Sequence, residues 1–157
     1  MTAHAGKPVW YELATPDLAG AAAFYGPLLG WAFRDAGMEG FTYQLAARGD
    51  AMVAGMMTAE PGMPPCWLFY VEVADADATV AATERAGGKV LMPASDIPET
   101  GRFAVLADPQ GAAFGILQPV AGAPSRAFDQ MQNGHGNWHE LSTTDPKAAL
   151  TFYSALF

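Results

Sequence analysis

The segment Trp10-Tyr11-Glu12-Leu13-Ala14-Thr15-Pro16-Asp17 returns 128 residues later as Trp138-His139-Glu140-Leu141-Ser142-Thr143-Thr144-Asp145. The match runs on without a gap through Phe24-Tyr25 against Phe152-Tyr153 and Leu28 against Leu156, with nine of twenty aligned positions identical. No other feature constrains the fold as strongly, because a repeated unit is one supersecondary block that needs neighbours to bury its apolar face. The second copy reaches Phe157 inside its first helix. The sequence therefore reads as one whole domain followed by the first strand and helix of an incomplete, truncated second one.

Each opening follows the same grammar. Pro8 to Ala14 reads as a strand, and Asp17 stands where its carboxylate can cap the first turn of a helix. Leu18, Ala21, Ala22 and Tyr25 recur at helical spacing, predicting a helix over 18–29 that Pro27 should kink or end near Tyr25. Strand-like runs follow at Trp31–Asp35, Phe41–Ala46 and Ala51–Thr58. After a proline-rich linker at 59–65 the order recurs. Trp67–Val73 is a strand, Asp75 or Asp77 caps a helix over 76–86, and Gly87-Gly88 ends it. Strands follow at Lys89–Met92, Arg102–Ala107 and Ala112–Gln118, the last two joined by the turn Asp108-Pro109-Gln110-Gly111.

The domain boundaries that follow are a tail over 1–7, a domain over 8–118 with modules 8–58 and 66–118, a linker over 119–136, and the incomplete repeat over 137–157. An apolar content of 51% in 157 residues suffices for the core of one domain. Sixteen acidic against eight basic residues give a net charge of −8, a surface that repels phosphate backbones and anionic lipid and argues against nucleic-acid and membrane partners. Cys66 is the single cysteine, so neither an intrachain disulfide nor a thiolate cluster can form. Residues 1–8 lack the apolar stretch of a secretory signal, and no run approaches the roughly 18 apolar residues of a membrane helix. The expected location is cytoplasmic.

The doubled strand–helix–strand–strand–strand order, the Asp-opened helix reaching Phe24-Tyr25 and Leu29-Gly30-Trp31, and the closing Asp108-Pro109-Gln110-Gly111 turn resemble the vicinal oxygen chelate superfamily. That group holds glyoxalase I, the bleomycin-resistance proteins and the extradiol dioxygenases. The second opening resembles its lactoylglutathione-lyase-related subgroup, which carries two such domains. The resemblance implies an α+β fold of paired βαβββ modules, forming a curved, partly open barrel-like sheet with helices outside and ligand inside. Alternation along the strands then assigns faces. Tyr11 and Leu13 lie under the helix, Trp10 and Glu12 on the cleft side, and Leu68, Tyr70 and Glu72 on the cleft side of the second module.

Metal-dependent relatives hold a divalent ion with His, Glu or Gln on the first and last strands of both modules. Counting back seven residues from Asp17, Asp75 and Asp145 gives Trp10, Leu68 and Trp138, none of which ligates a metal. The strand 51–58 holds no His or carboxylate, and Gly115 stands where the family places Glu. The expectation is no metal and no cofactor. His135 and His139 lack helical ligand spacing, since Gly136 and Asn137 separate them. The ligand-binding candidates are Trp10, Glu12, Met52, Leu68, Tyr70 and Arg102. Glu12 is the catalytic candidate, because a carboxylate partly buried between Trp10 and apolar strands can serve as a base.

The resemblance and the missing ligands imply a protein that binds a small apolar or aromatic molecule in a metal-free cleft. The alternative is a lactoylglutathione-lyase-related or dioxygenase-like enzyme using Glu12 as base or a metal site outside this domain. The tail residues Trp138, Leu141, Phe152, Tyr153, Leu156 and Phe157 lack a partner within their own repeat. They are expected to dock on their own domain, or to join two copies by homodimerisation or swapping.

Overall fold

The structure is a computed structural model that describes residues 6–121 and 124–157. His4 and residues 122–123 of the expected linker lie outside the described residues. In chain order the elements are β1 (Pro8–Thr15), α1 (Leu18–Leu29), β2 (Ala32–Asp35), β3 (Tyr43–Arg48), β4 (Ala51–Thr58), β5 (Cys66–Glu72), α2 (Ala76–Arg85), β6 (Lys89–Ile97), β7 (Gly101–Ala107), β8 (Ala113–Pro119) and α3 (Pro146–Leu156). The class is α+β, and βαβββ occurs twice.

The chain forms two compact units. Of the described residues, one unit holds Val9–Phe69 and Ser125–Trp138; the other holds residues 6–8, 70–121 and 124, and His139–Phe157. In the first unit the strand order is β2-β3-β4-β1, with β1 parallel to β4 and the other pairs antiparallel. The second repeats this as β6-β7-β8-β5, with β5 parallel to β8.

Each of the three helices among the described residues opens on an aspartate whose carboxylate accepts an N–H of the first turn. The donors are Gly20 to Asp17 at 2.8 Å, Ala78 to Asp75 at 2.9 Å and Ala148 to Asp145 at 3.0 Å. Such caps satisfy donors that have no partner inside the helix. Pro27 neither ends nor stops α1, which continues to Leu29. Pro27 and Ala23, whose carbonyl loses its helical donor, both lie on the exposed side of the last turn, where the loss is tolerated.

β6 runs to Ile97, beyond the expected Met92. It is the outer strand of its sheet and changes register between Val90 and Met92 and between Met92 and Ser95. That edge position accommodates Pro93. A strand is absent from residues 137–144, the expected second opening. β1 is a strand because it pairs with β4 through Glu12↔Gly55 and Leu13↔Met56, and the repeat over 137–157 contains no equivalent of β4.

The first unit's core is Ala46, Ala51, Val53 and Ala54, with Tyr11, Trp31 and Phe33 packed against it. Residues 125–136, part of the expected linker, close over this side. Ala127 is buried, Ser125 Oγ donates to the Val9 carbonyl, and Trp31 Nε1 donates to the Gly134 carbonyl at 2.7 Å. The second unit's core is Val73, Ala76, Ala104, Leu106, Phe114, Ile116 and Phe152, so α3 packs into it. Tyr153 secures that docking by donating to Asp108 Oδ2 at 3.1 Å, while Asp108 Oδ1 accepts from the Gln110 and Ala112 amides of the closing turn.

Candidate functional site

The alternation of β1 puts Tyr11 on the core side and Trp10 and Glu12 on the opposite face. There they meet a residue that reading the sequence did not single out, Tyr43 on β3. Trp10 Nε1 donates to the Tyr43 hydroxyl at 2.9 Å, and that hydroxyl donates to Glu12 Oε2 at 2.8 Å. The chain of donors has one direction and ends on a carboxylate. Burial first, and then the negative charge of Glu12, push the Tyr43 phenol well above its ordinary pKa of 10.0. It therefore stays protonated and remains a donor at neutral pH.

Gly55 makes this arrangement possible. It is the register partner of Glu12 on β4, and a Cβ there would stand 1.9 Å from Tyr43 Oη and 2.3 Å from Cζ. Only glycine lets the Tyr43 ring cross the strand at this depth. The second unit repeats the device. Gly115 on β8 pairs with Tyr70 on β5, and a Cβ at Gly115 would stand 2.2 Å from Tyr70 Cδ1. Tyr70 is buried there, its ring centroid 6.3 Å from that of Phe103.

The expected residues thus fall into separate groups. Trp10 and Glu12 are joined through Tyr43. Met52 lies further along β4, its sulfur 3.9 Å from an Arg34 guanidinium nitrogen. Leu68 is half-buried on β5, on the same face of that strand as Tyr70. Arg102 does not belong with them. Its guanidinium is held by Asp77 of α2 at 2.9 Å and Asp96 of β6 at 3.0 Å. Its neighbours of the same parity on β7, Ala104 and Leu106, are in the helix-covered core, whereas Phe103 faces Tyr70. The side chain is on the helix side of the sheet, drawn there by two carboxylates.

The donor set does not fit a divalent ion. Trp10 and Leu68 occupy the opening-strand places, and Gly55 and Gly115 on the closing strands lie under tyrosine rings. Among the described residues no three His, Cys, Asp or Glu side chains converge as a metal site. His135 Nδ1 lies 3.4 Å from the Asn133 carbonyl, and burial pushes the His139 pKa below its ordinary value. These two histidines belong to different units.

Comparison with known proteins agrees with this architecture. The sequence profile of the Glyoxalase/Bleomycin resistance protein/Dioxygenase superfamily matches residues 7–116. "Putative glyoxylase CFP32" of Mycobacterium tuberculosis is 38% identical over 157 residues, covering 96% of this chain and 59% of that protein. "Anthracycline biosynthesis protein DauV" of a Streptomyces species is 34% identical over 174 residues, covering 96% of this chain and 60% of that protein. The chain thus spans about three fifths of the length of these relatives. Methylmalonyl-CoA epimerase from Mycobacterium tuberculosis superposes with a TM-score of 0.57 at 17% identity, over 76% of this chain and 92% of that one. The Mn(II)-bound glyoxalase of Novosphingobium aromaticivorans gives 0.56 at 19% identity, over 78% and 42%. At such identities these two structures speak for the fold alone. With its doubled βαβββ order and a profile match over most of its length, the chain belongs to the glyoxalase/bleomycin resistance protein/dioxygenase superfamily.

Proposed function

We propose that this domain binds a small, flat, apolar or aromatic molecule without a metal ion, using the face formed by Trp10, Glu12 and Tyr43. The observation that carries the reading is the Trp10–Tyr43–Glu12 chain laid across Gly55. It fills the first module's closing-strand place with a phenol ring and fixes a carboxylate beside an indole. Such a surface offers an aromatic plane for stacking and an oriented acceptor for a ligand hydroxyl or amine. The relationship to a protein named for anthracycline biosynthesis supports a planar, hydroxylated ring system as the ligand class. The enzymatic alternative uses Glu12 as a base. The same hydrogen bonds that orient the carboxylate for binding would position it for proton abstraction.

Quenching of tryptophan fluorescence by planar hydroxyanthraquinones, on chelator-treated protein with and without added Mn2+ or Zn2+, tests the proposal. Saturable quenching independent of metal is the expected result. Glu12→Gln should weaken it by about tenfold, the worth of one hydrogen bond to a charged group, while the fold persists at a cost of about 1 kcal/mol, the amide oxygen still accepting from Tyr43. Binding that appears only with a stoichiometric metal ion would overturn the reading.

A further inference from the structure

The repeat makes α1 and α3 equivalent, yet they are treated differently. The twelve residues of α1, Leu18–Leu29, include no charged side chain and a single hydroxyl, that of Tyr25. A helix apolar around its whole circumference belongs in an interior, but no residue of α1 is buried. Phe24 is 61% exposed and Leu28, one turn on and in the same stripe, is 63% exposed. Their repeat equivalents are Phe152 and Leu156 of α3. Phe152 is 4% exposed, its ring edge-to-face with Phe114 at a centroid distance of 6.2 Å, and Leu156 packs against the same cluster. The same two side chains at the same spacing therefore already have a partner in this molecule, the outer sheet face bearing Ala104, Leu106, Phe114 and Ile116.

We infer that the Phe24–Leu28 stripe of α1 is a docking surface for that face on a second copy of the chain, with α1 of one copy taking the place that α3 holds in the other. Two copies related by a two-fold axis can make the exchange reciprocally, which doubles the apolar area covered. Tyr25 takes no part. Its hydroxyl accepts from Trp67 Nε1 at 2.9 Å and its ring packs against Trp31 and Trp67. α1 thus offers Phe24 and Leu28 alone, whereas α3 adds the Tyr153 bond to Asp108. α3 is also tethered to its face, which raises its effective concentration there. The exchange therefore shows itself when α3 is dislodged.

Sedimentation of the full 157-residue chain tests this. The wild type should be monomeric, Phe152→Asp should dimerise, and adding Phe24→Asp should raise the dimer dissociation constant at least about tenfold, as loss of a buried aromatic anchor does. A Phe152→Asp chain that keeps its native circular dichroism and stays monomeric overturns the inference. So does a dimer indifferent to Phe24→Asp, the mark of a swapped tail. If Phe152→Asp fails to fold, Tyr153→Phe loosens α3 by one hydrogen bond and keeps the ring. At the highest workable concentration it should associate at least about tenfold more strongly than the wild type, the worth of a bond to a carboxylate, and association no stronger than that of the wild type overturns the docking.

Discussion

Replacing Gly55 by alanine should unseat Tyr43 and destabilise the first unit. The added methyl would lie 1.9 Å from Tyr43 Oη, 2.3 Å from Cζ and 2.6 Å from Cε1, where carbon atoms prefer about 3.5–4 Å. Two responses are open. If the ring swings away, it gives up its bond to the Glu12 carboxylate, worth about 1.5–3 kcal/mol, and its bond from Trp10, worth about 0.5–1.5 kcal/mol. If it stays, the strand must shift, and such overpacking costs about 1–3 kcal/mol. Against either stands the gain from a less flexible unfolded chain, about 0.4–1 kcal/mol. The net destabilisation is then about 1–4 kcal/mol if the ring leaves and up to about 2.6 kcal/mol if it stays. Urea unfolding followed by tryptophan fluorescence measures it. Repeating the substitution in Tyr43→Ala protein separates the cause, because the three atoms nearest the added methyl all belong to that ring, and without it the cost should fall to under about 0.5 kcal/mol. Equal costs with and without Tyr43, or a Gly55→Ala protein as stable as wild type, would refute the account of the site.

Other consequences follow from the same contacts. Tyr153→Phe should cost about 1.5–3 kcal/mol in urea unfolding, because the almost fully buried Asp108 carboxylate loses a donor. Alkaline stability should fall above pH 10, since burial holds the phenols of Tyr11, Tyr43 and Tyr153 above their ordinary 10.0. The unfolded chain then loses protons that the native state keeps, so stability is whole below pH 10 and declines as pH rises. Tyr43 contributes about 1.4 kcal/mol per pH unit to that decline and the more open Tyr11 and Tyr153 less, so Tyr43→Phe should flatten the slope measurably in pH-dependent unfolding. Arg102→Gln should leave ligand quenching unchanged while lowering the melting temperature, more at low salt than at high, since its two ion pairs lie at the surface.

Chemistry that acts between near neighbours is legible in the sequence. A capping aspartate acts over three residues, and the three at Asp17, Asp75 and Asp145 start the helices where the sequence places them. Strand alternation separates Trp10 and Glu12 from Tyr11, because the side-chain period of two holds wherever one face of a strand is buried. The turn at Asp108-Pro109-Gln110-Gly111 is legible for the same reason, its bonds running from Asp108 to amides within four residues.

What depends on a partner strand or a distant charge is not legible there. Tyr43 joins Glu12 across a strand, through a register that begins at Tyr43↔Met57 and cannot be counted from Asp17. A signal was present in Gly55 and Gly115, glycines inside otherwise apolar strands, which mark close approach of another group. Arg102 went to the helix side because Asp77 and Asp96 are nearer to it in space than any sequence distance suggests. Residues 138–144 repeat β1 in sequence and not in structure. The sequence by itself determined the order of elements over 8–119, the starts of the helices and the two faces of β1, since those are properties of neighbouring residues. Only the tertiary structure decided which faces meet, which ring fills the space over a glycine and whether a strand-like segment becomes a strand, because a ladder needs a second chain segment to hydrogen-bond with.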